Sequence, residues 1–107
     1  MRAYRFCYGP QITNTFNFQW DIIKHNSFVV ITASEGQEFA ENHLMIYDDQ
    51  SPHRFIGNAR FTVCNIAPHD GGVTFHVAID WPSPITLWVD IIVFDEIFFT
   101  FDGFDRV

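Results

Sequence analysis

A chain of 107 residues has room for one domain of ordinary size, and residues 1–107 are read as a single domain. Hydrophobic residues make up 48% and charged residues 18%, which excludes a disordered tail and a low-complexity linker. Six Lys and Arg against thirteen Asp and Glu leave a formal charge of −7; the basic residues are scattered, so no positive groove for nucleic acid is expected.

No window carries apolar residues at helical spacing over three turns, whereas period-two alternation recurs along the chain. Tyr4, Phe6 and Tyr8 share one face of a first strand that Gly9-Pro10 ends, and this start lacks the long apolar stretch and cleavage site of a secretory signal. A cytoplasmic location is therefore the default expectation. In 15–21, Phe16, Phe18 and Trp20 point one way and Asn17, Gln19 and Asp21 the other. Residues 28–33 are apolar enough for a buried strand, 35–43 is the one stretch that admits a helical turn, and 44–47 is a short strand. Residues 60–66 and 73–81 flank Ala67-Pro68-His69-Asp70-Gly71-Gly72 and predict a hairpin. Pro82-Ser83-Pro84 then makes a tight connection to 85–94, and 97–101 is a last strand. The apolar stretch from Ile85 to Phe101 is broken by Asp90, Asp95 and Glu96, so no membrane span is expected. About eight strands at turn spacings of 8–12 residues predict an all-β, antiparallel β-sandwich of Greek-key or jelly-roll type.

If Trp81 pairs with Ile85 across the proline turn, Ile79 faces Leu87, Val77 faces Val89 and Phe75 faces Ile91 on one apolar side. His76 then faces Asp90, and Ala78 faces Trp88, on the other. A looser register for the preceding hairpin adds Phe61 and Val63 to the apolar side and sets Thr62 beside His76. The expected core is Phe61, Val63, Phe75, Val77, Ile79, Leu87, Val89 and Ile91, with Phe6, Phe16, Phe18, Phe28 and Val30 from a second sheet. The expected polar face carries Arg60, Thr62, Thr74, His76, Asp80, Trp88 and Asp90.

That face has the parts of a sugar site. An indole, Trp88, can stack on the apolar side of a pyranose, and Asp90, Asp80, His76 and Arg60 can hydrogen-bond its hydroxyls. The plainer alternative is a solvated sheet face with a His76–Asp90 pair contributing roughly 0.2–1 kcal/mol. Calcium is a second candidate ligand, through loop carboxylates at Asp48, Asp49, Asp70, Asp102 and Asp105, although Asp-Gly is also good turn chemistry and no EF-hand spacing is present. The five histidines, His25, His43, His53, His69 and His76, form no H-x-H or H-x-x-x-H pair, which argues against zinc or iron.

Cys64, His76 and Asp90 supply the residue types of a nucleophile, a base and an orienting group. A flat sheet face, however, gives no water-excluding pocket and no oxyanion-binding amides, and no G-x-S-x-G, P-loop or G-x-G-x-x-G occurs. Cys7 and Cys64 lie far apart in sequence with no C-x-x-C, and are read as half-buried strand thiols, with a disulfide left open.

Thirteen Phe, three Tyr and three Trp form 18% of the chain. At roughly 150–250 Å² each, they exceed what one small core hides, so a homo-oligomer is expected. The leading expectation is a non-catalytic, lectin-like carbohydrate-binding module made multivalent by self-association. The alternative is a structural or assembly protein whose surplus aromatic surface packs against copies of itself or a host complex.

Overall fold

The computed structural model describes residues 1–37, 56–98 and 103, and among them there are six strands and no helix. The strands are β1 (Arg2–Gln11), β2 (Asn14–Gln19), β3 (Phe28–Glu35), β4 (Arg60–His69), β5 (Gly72–Asp80) and β6 (Ile85–Phe94). They form two antiparallel three-stranded sheets, ordered β1-β6-β3 and β2-β5-β4. Of the predicted elements, 44–47 and most of 35–43 and 97–101 lie outside the described residues, while Ile97 and Phe98 are not in a strand.

The two sheets share one core. Val73, Phe75, Val77 and Ile79 of β5 meet Leu87, Val89, Ile91 and Val93 of β6, joined by Ile31 of β3 and by Ile23. Each such side chain contributes roughly 1.5–3 kcal/mol on burial. Strands β5 and β6 are therefore the middle strands of opposite sheets and not partners in a hairpin. This corrects the expected register: Trp81-Pro82-Ser83-Pro84 carries the chain from one sheet to the other. Both arrangements bury the same alternate residues, so the apolar pattern could not separate them.

The 60–69/72–80 hairpin is present, but slipped by two residues from the expected pairing. Cys64, not Thr62, stands opposite His76, and Thr62 stands opposite Ala78. A two-residue slip leaves each side chain on its expected face. A bulge between Cys64 and Ala67, with Asn65 at φ 56°, then shifts the remaining pairs. Gly9 at φ 72° lies in a second bulge, where β1 gains a residue against β6.

Strand β3 corrects the expected core. Its inward residues are Val29, Ile31 and Ala33, while Phe28 is 52% exposed and Val30 belongs to the reverse face beside Ile92. Because 28–31 is apolar at every position, alternation gave no parity to read.

One side of the molecule is closed by aromatic rings from β1 and β2. Tyr4 stacks on Phe6 with centroids 4.7 Å apart, Phe6 meets Phe18 at 4.2 Å, Tyr8 meets Phe16 at 5.3 Å, and Trp20 meets Tyr4 at 5.3 Å. The two predicted aromatic faces thus face each other, and burial pushes the Tyr8 hydroxyl pKa up. The β2–β3 connection grips the β4–β5 turn: Trp20 N–H donates to the Gly71 carbonyl at 2.9 Å and Gly71 N–H donates to the Ile23 carbonyl at 2.8 Å. Ile23, fully buried, plugs the core at this point.

Candidate functional site

Because β5 and β6 belong to different sheets, the expected polar face divides into two outer faces. Arg60, Thr62, Thr74, His76 and Asp80 remain together on the outside of β2-β5-β4. Trp88 and Asp90 lie on the outside of β1-β6-β3. Neither His76–Asp90 nor Ala78–Trp88 is a cross-strand pair, and Cys64, His76 and Asp90 do not form a catalytic set.

Trp88 is also the wrong indole for stacking. It is 1% exposed, and its Nε1–H donates to the Gln37 carbonyl at 2.8 Å. A ring covered on both faces offers nothing to a sugar; Trp88 is a structural anchor between β6 and the end of β3. Asp90 is held by Arg5 in a two-pronged ion pair, Nε to Oδ1 at 2.7 Å and Nη2 to Oδ2 at 3.1 Å, since Arg5 is its partner on β1. Its acceptors are engaged by the protein itself.

The outer face of β2-β5-β4 is polar and internally hydrogen-bonded. Strand β2 brings Thr15 beside His76 and Asn17 beside Thr74. The Thr15 hydroxyl and His76 Nδ1 are bonded at 3.0 Å, and Asn17 Oδ1 accepts from the Thr74 hydroxyl at 3.0 Å and from His69 Nε2–H at 2.7 Å. These β2 residues were missed as site candidates, because the strand partner of β5 could not be read from the sequence. At the other end of the face Arg60 stands opposite Asp80, and among the described residues neither forms an ion pair. Trp81 follows at once, 41% exposed and outside the set of side chains packed on the core.

Among the calcium candidates, Asp48, Asp49, Asp102 and Asp105 lie outside the described residues. Asp70 accepts from the His25 backbone N–H at 2.9 Å and from His25 Nδ1–H at 3.0 Å. The backbone bond first, then the side-chain bond, holds its carboxyl below the usual carboxylate range. No group of three or more His, Cys, Asp or Glu that could hold a metal ion occurs among the described residues.

Cys7 and Cys64 are half-buried free thiols. They stand opposite Trp88 and His76, on the outer faces of different sheets, and so cannot reach each other. A small cleft of about 180 Å³ opens between the end of β3 and the start of β4, lined by Ala33, Ser34, Glu35, Ile56, Gly57, Ala59 and Phe61. It contains none of the expected site residues. Among the described residues no helix is long and apolar enough to cross a membrane.

Comparison with known proteins gives no match to a family model, to a curated protein or to a solved structure.

Proposed function

We propose that this chain is a non-catalytic, lectin-like binding module, built as a β-sandwich, that takes a carbohydrate on the outer face of β2-β5-β4. The observation that carries this reading is the composition of that face. Thr15, Asn17, Thr62, Thr74 and His76 place hydroxyl, amide and imidazole groups in adjacent rows, where the Thr15–His76 and Asn17–Thr74 bonds leave spare donors and acceptors, and the rows end in Arg60 and Asp80, which stand opposite each other without an ion pair. A polyhydroxylated ligand needs such an interleaving of donors and acceptors on an open surface. Of the five residues expected to bind, Arg60, His76 and Asp80 keep this role and Trp88 and Asp90 leave it.

A second reading, assembly, has its own observation. The outside of β1-β6-β3 presents apolar rows, Ala3–Ile92–Val30 and Phe94–Phe28, at its Phe28 end. Phe28 is half in solvent and packs edge-to-face on Phe94 with centroids 5.5 Å apart. Self-association through this face leaves the polar face of β2-β5-β4 outward, so the two readings combine into a multivalent binder.

A glycan array probed with purified protein, with calcium and with chelator, tests the first reading. Specific binding supports it, and loss under chelator transfers the site to carboxylate loops. A blank array under both conditions refutes it and leaves assembly. Sedimentation of wild type and Ile92→Asp tests the second: an oligomer that the substitution dissociates supports it, and a monomeric wild type refutes it.

A further inference from the structure

The cleft between the end of β3 and the start of β4 has no part in the function proposed above. We infer that it is a binding site for a small alkylammonium group, with Glu35 as the counter-ion, and that it stands whether or not the polar face takes a sugar. Three observations carry this.

Glu35 is a carboxylate in an inward row. Along β3 the side chains of Val29, Ile31 and Ala33 pack on the core, and Glu35 stands in the same phase, opposite the fully buried Leu87. A charged group in such a row ordinarily takes an internal partner, because removing an ionised carboxylate from water is costly. Glu35 is half-buried, yet among the described residues it has no ion pair and no hydrogen bond. Its carboxyl reaches the cleft across Gly57: Oε1 occupies the space that a Cβ on that glycine would fill, and both residues line the cleft.

The walls then set the size and character of the ligand. Ala33, Ile56, Ala59 and Phe61 line the same cleft, which holds about 180 Å³. A cavity of roughly 150 Å³ takes a molecule the size of benzene, so a short alkyl chain fits here and an oligosaccharide does not. Methylene groups can lie on the apolar walls while the ammonium meets Glu35, and the Phe61 ring adds a surface that attracts cations. Arg60 does not neutralise the carboxyl; it belongs to the outer face, opposite Asp80. A formal charge of −7 on the chain also favours a cationic ligand over an anionic one. The same chemistry arrives either as a free amine or as a lysine side chain.

The test titrates n-butylammonium into wild type, Glu35→Gln and Gly57→Ala at constant ionic strength, followed by amide chemical shifts, with n-butanol as the neutral probe and butyrate as the anionic one. n-Butylammonium should shift the Ala33, Gly57 and Ala59 amides with a Kd on the order of 1–10 mM, and both other probes should bind about tenfold more weakly or not at all. Glu35→Gln keeps the shape and removes the charge, so it should bring n-butylammonium level with n-butanol. It should also melt no lower than wild type, because no internal partner is lost. Gly57→Ala, whose methyl group displaces the carboxyl, should weaken n-butylammonium about threefold or more. Equal binding of n-butylammonium and n-butanol to wild type overturns the inference, as do undiminished binding to Glu35→Gln and an absence of shifts in the cleft. A Glu35→Gln protein that melts several degrees below wild type gives the carboxyl a structural role and overturns it too. With the site upheld, Nα-acetyl-lysine methylamide binding at least as tightly as n-butylammonium assigns it to a lysine side chain, and weaker binding assigns it to a free amine. A blank glycan array refutes the carbohydrate reading and leaves these outcomes untouched.

Discussion

Replacing Trp88 by phenylalanine separates an anchor from a ligand platform. The substitution removes the Nε1–H bond to the Gln37 carbonyl, a contribution of about 1 kcal/mol. It also removes roughly 50 Å² of a ring that is 1% exposed, or about 1.2 kcal/mol at roughly 25 cal/mol per Å². Imperfect closure of the space left behind adds about 1 kcal/mol more. The expected loss is about 3 kcal/mol, which for a domain of this size lowers Tm by about 12–20 °C. Urea unfolding followed by circular dichroism measures it, and the midpoint should fall with the slope unchanged. In wild type, iodide should quench the exposed Trp81 and spare Trp88. A Trp88→Phe protein that melts within 2 °C of wild type, or a Trp88 that iodide reaches as readily as Trp81, would refute the assignment of this indole as a buried anchor.

Three further outcomes follow from neighbouring features. Val77→Asp places a carboxylate among the fully buried residues of β5 and should abolish soluble protein, whereas His76→Ala, one position away, removes only the bond to Thr15 and should cost less than about 1 kcal/mol; similar tolerance at both positions, read from soluble yield and melting, would contradict the assigned faces. Gly71→Ala should cost about 1–2 kcal/mol by chemical unfolding although no atom lies near the added methyl group, because the loss comes from φ 93° alone. Asp70 has a carboxyl pKa depressed in the folded chain, so its contribution is complete above its ordinary value near 3.8 and fades as the pH falls through the lower native value. Carboxyl NMR titration should place Asp70 below the ordinary carboxylate range, and His25→Ala, which removes the imidazole but keeps the backbone N–H, should raise its midpoint part of the way back; an unchanged Asp70 midpoint in that variant would refute the role given to the His25 side chain.

Much of the arrangement was legible from alternation. Phe75, Val77, Ile79, Leu87, Val89 and Ile91 are buried as their spacing predicted, and the aromatic faces of β1 and β2 point inward. Alternation reports which side of a strand is apolar, not which strand lies beside it. The β5–β6 connection shows the limit: hairpin and crossover both satisfy the pattern, and the choice depends on β1 and β3 taking the two sides of β6. Trp88 was misplaced for a related reason. Its indole is buried and bonded to Gln37, 51 positions away, a contact that no local pattern reports. Ile23 was overlooked because it lies in a connection, where burial follows from the grip on the β4–β5 turn. For the candidate site, Arg60, His76 and Asp80 were found together because they belong to one hairpin; Thr15 and Asn17 reach the same face from β2, which ends more than fifty residues before β5 begins.

The order of the strands in the two sheets also sets a timetable. Strand β1 pairs only with β6, β2 only with β5, and β3 only with β6 among the described strands, so the first three strands have no sheet partner until residues 72–94 have been synthesised. At the ribosome, the aromatic segments of β1 and β2 emerge well before the strands that will order them. Only the β4–β5 hairpin can form from adjacent chain, and it is the natural template on which β2 docks, before β6 threads between β1 and β3 and completes the other sheet. Until that last insertion, β1 and the turn after it, residues 2–13, form a sticky, unsheltered stretch, and synthesis speed through β5 and β6 governs how long it stays so.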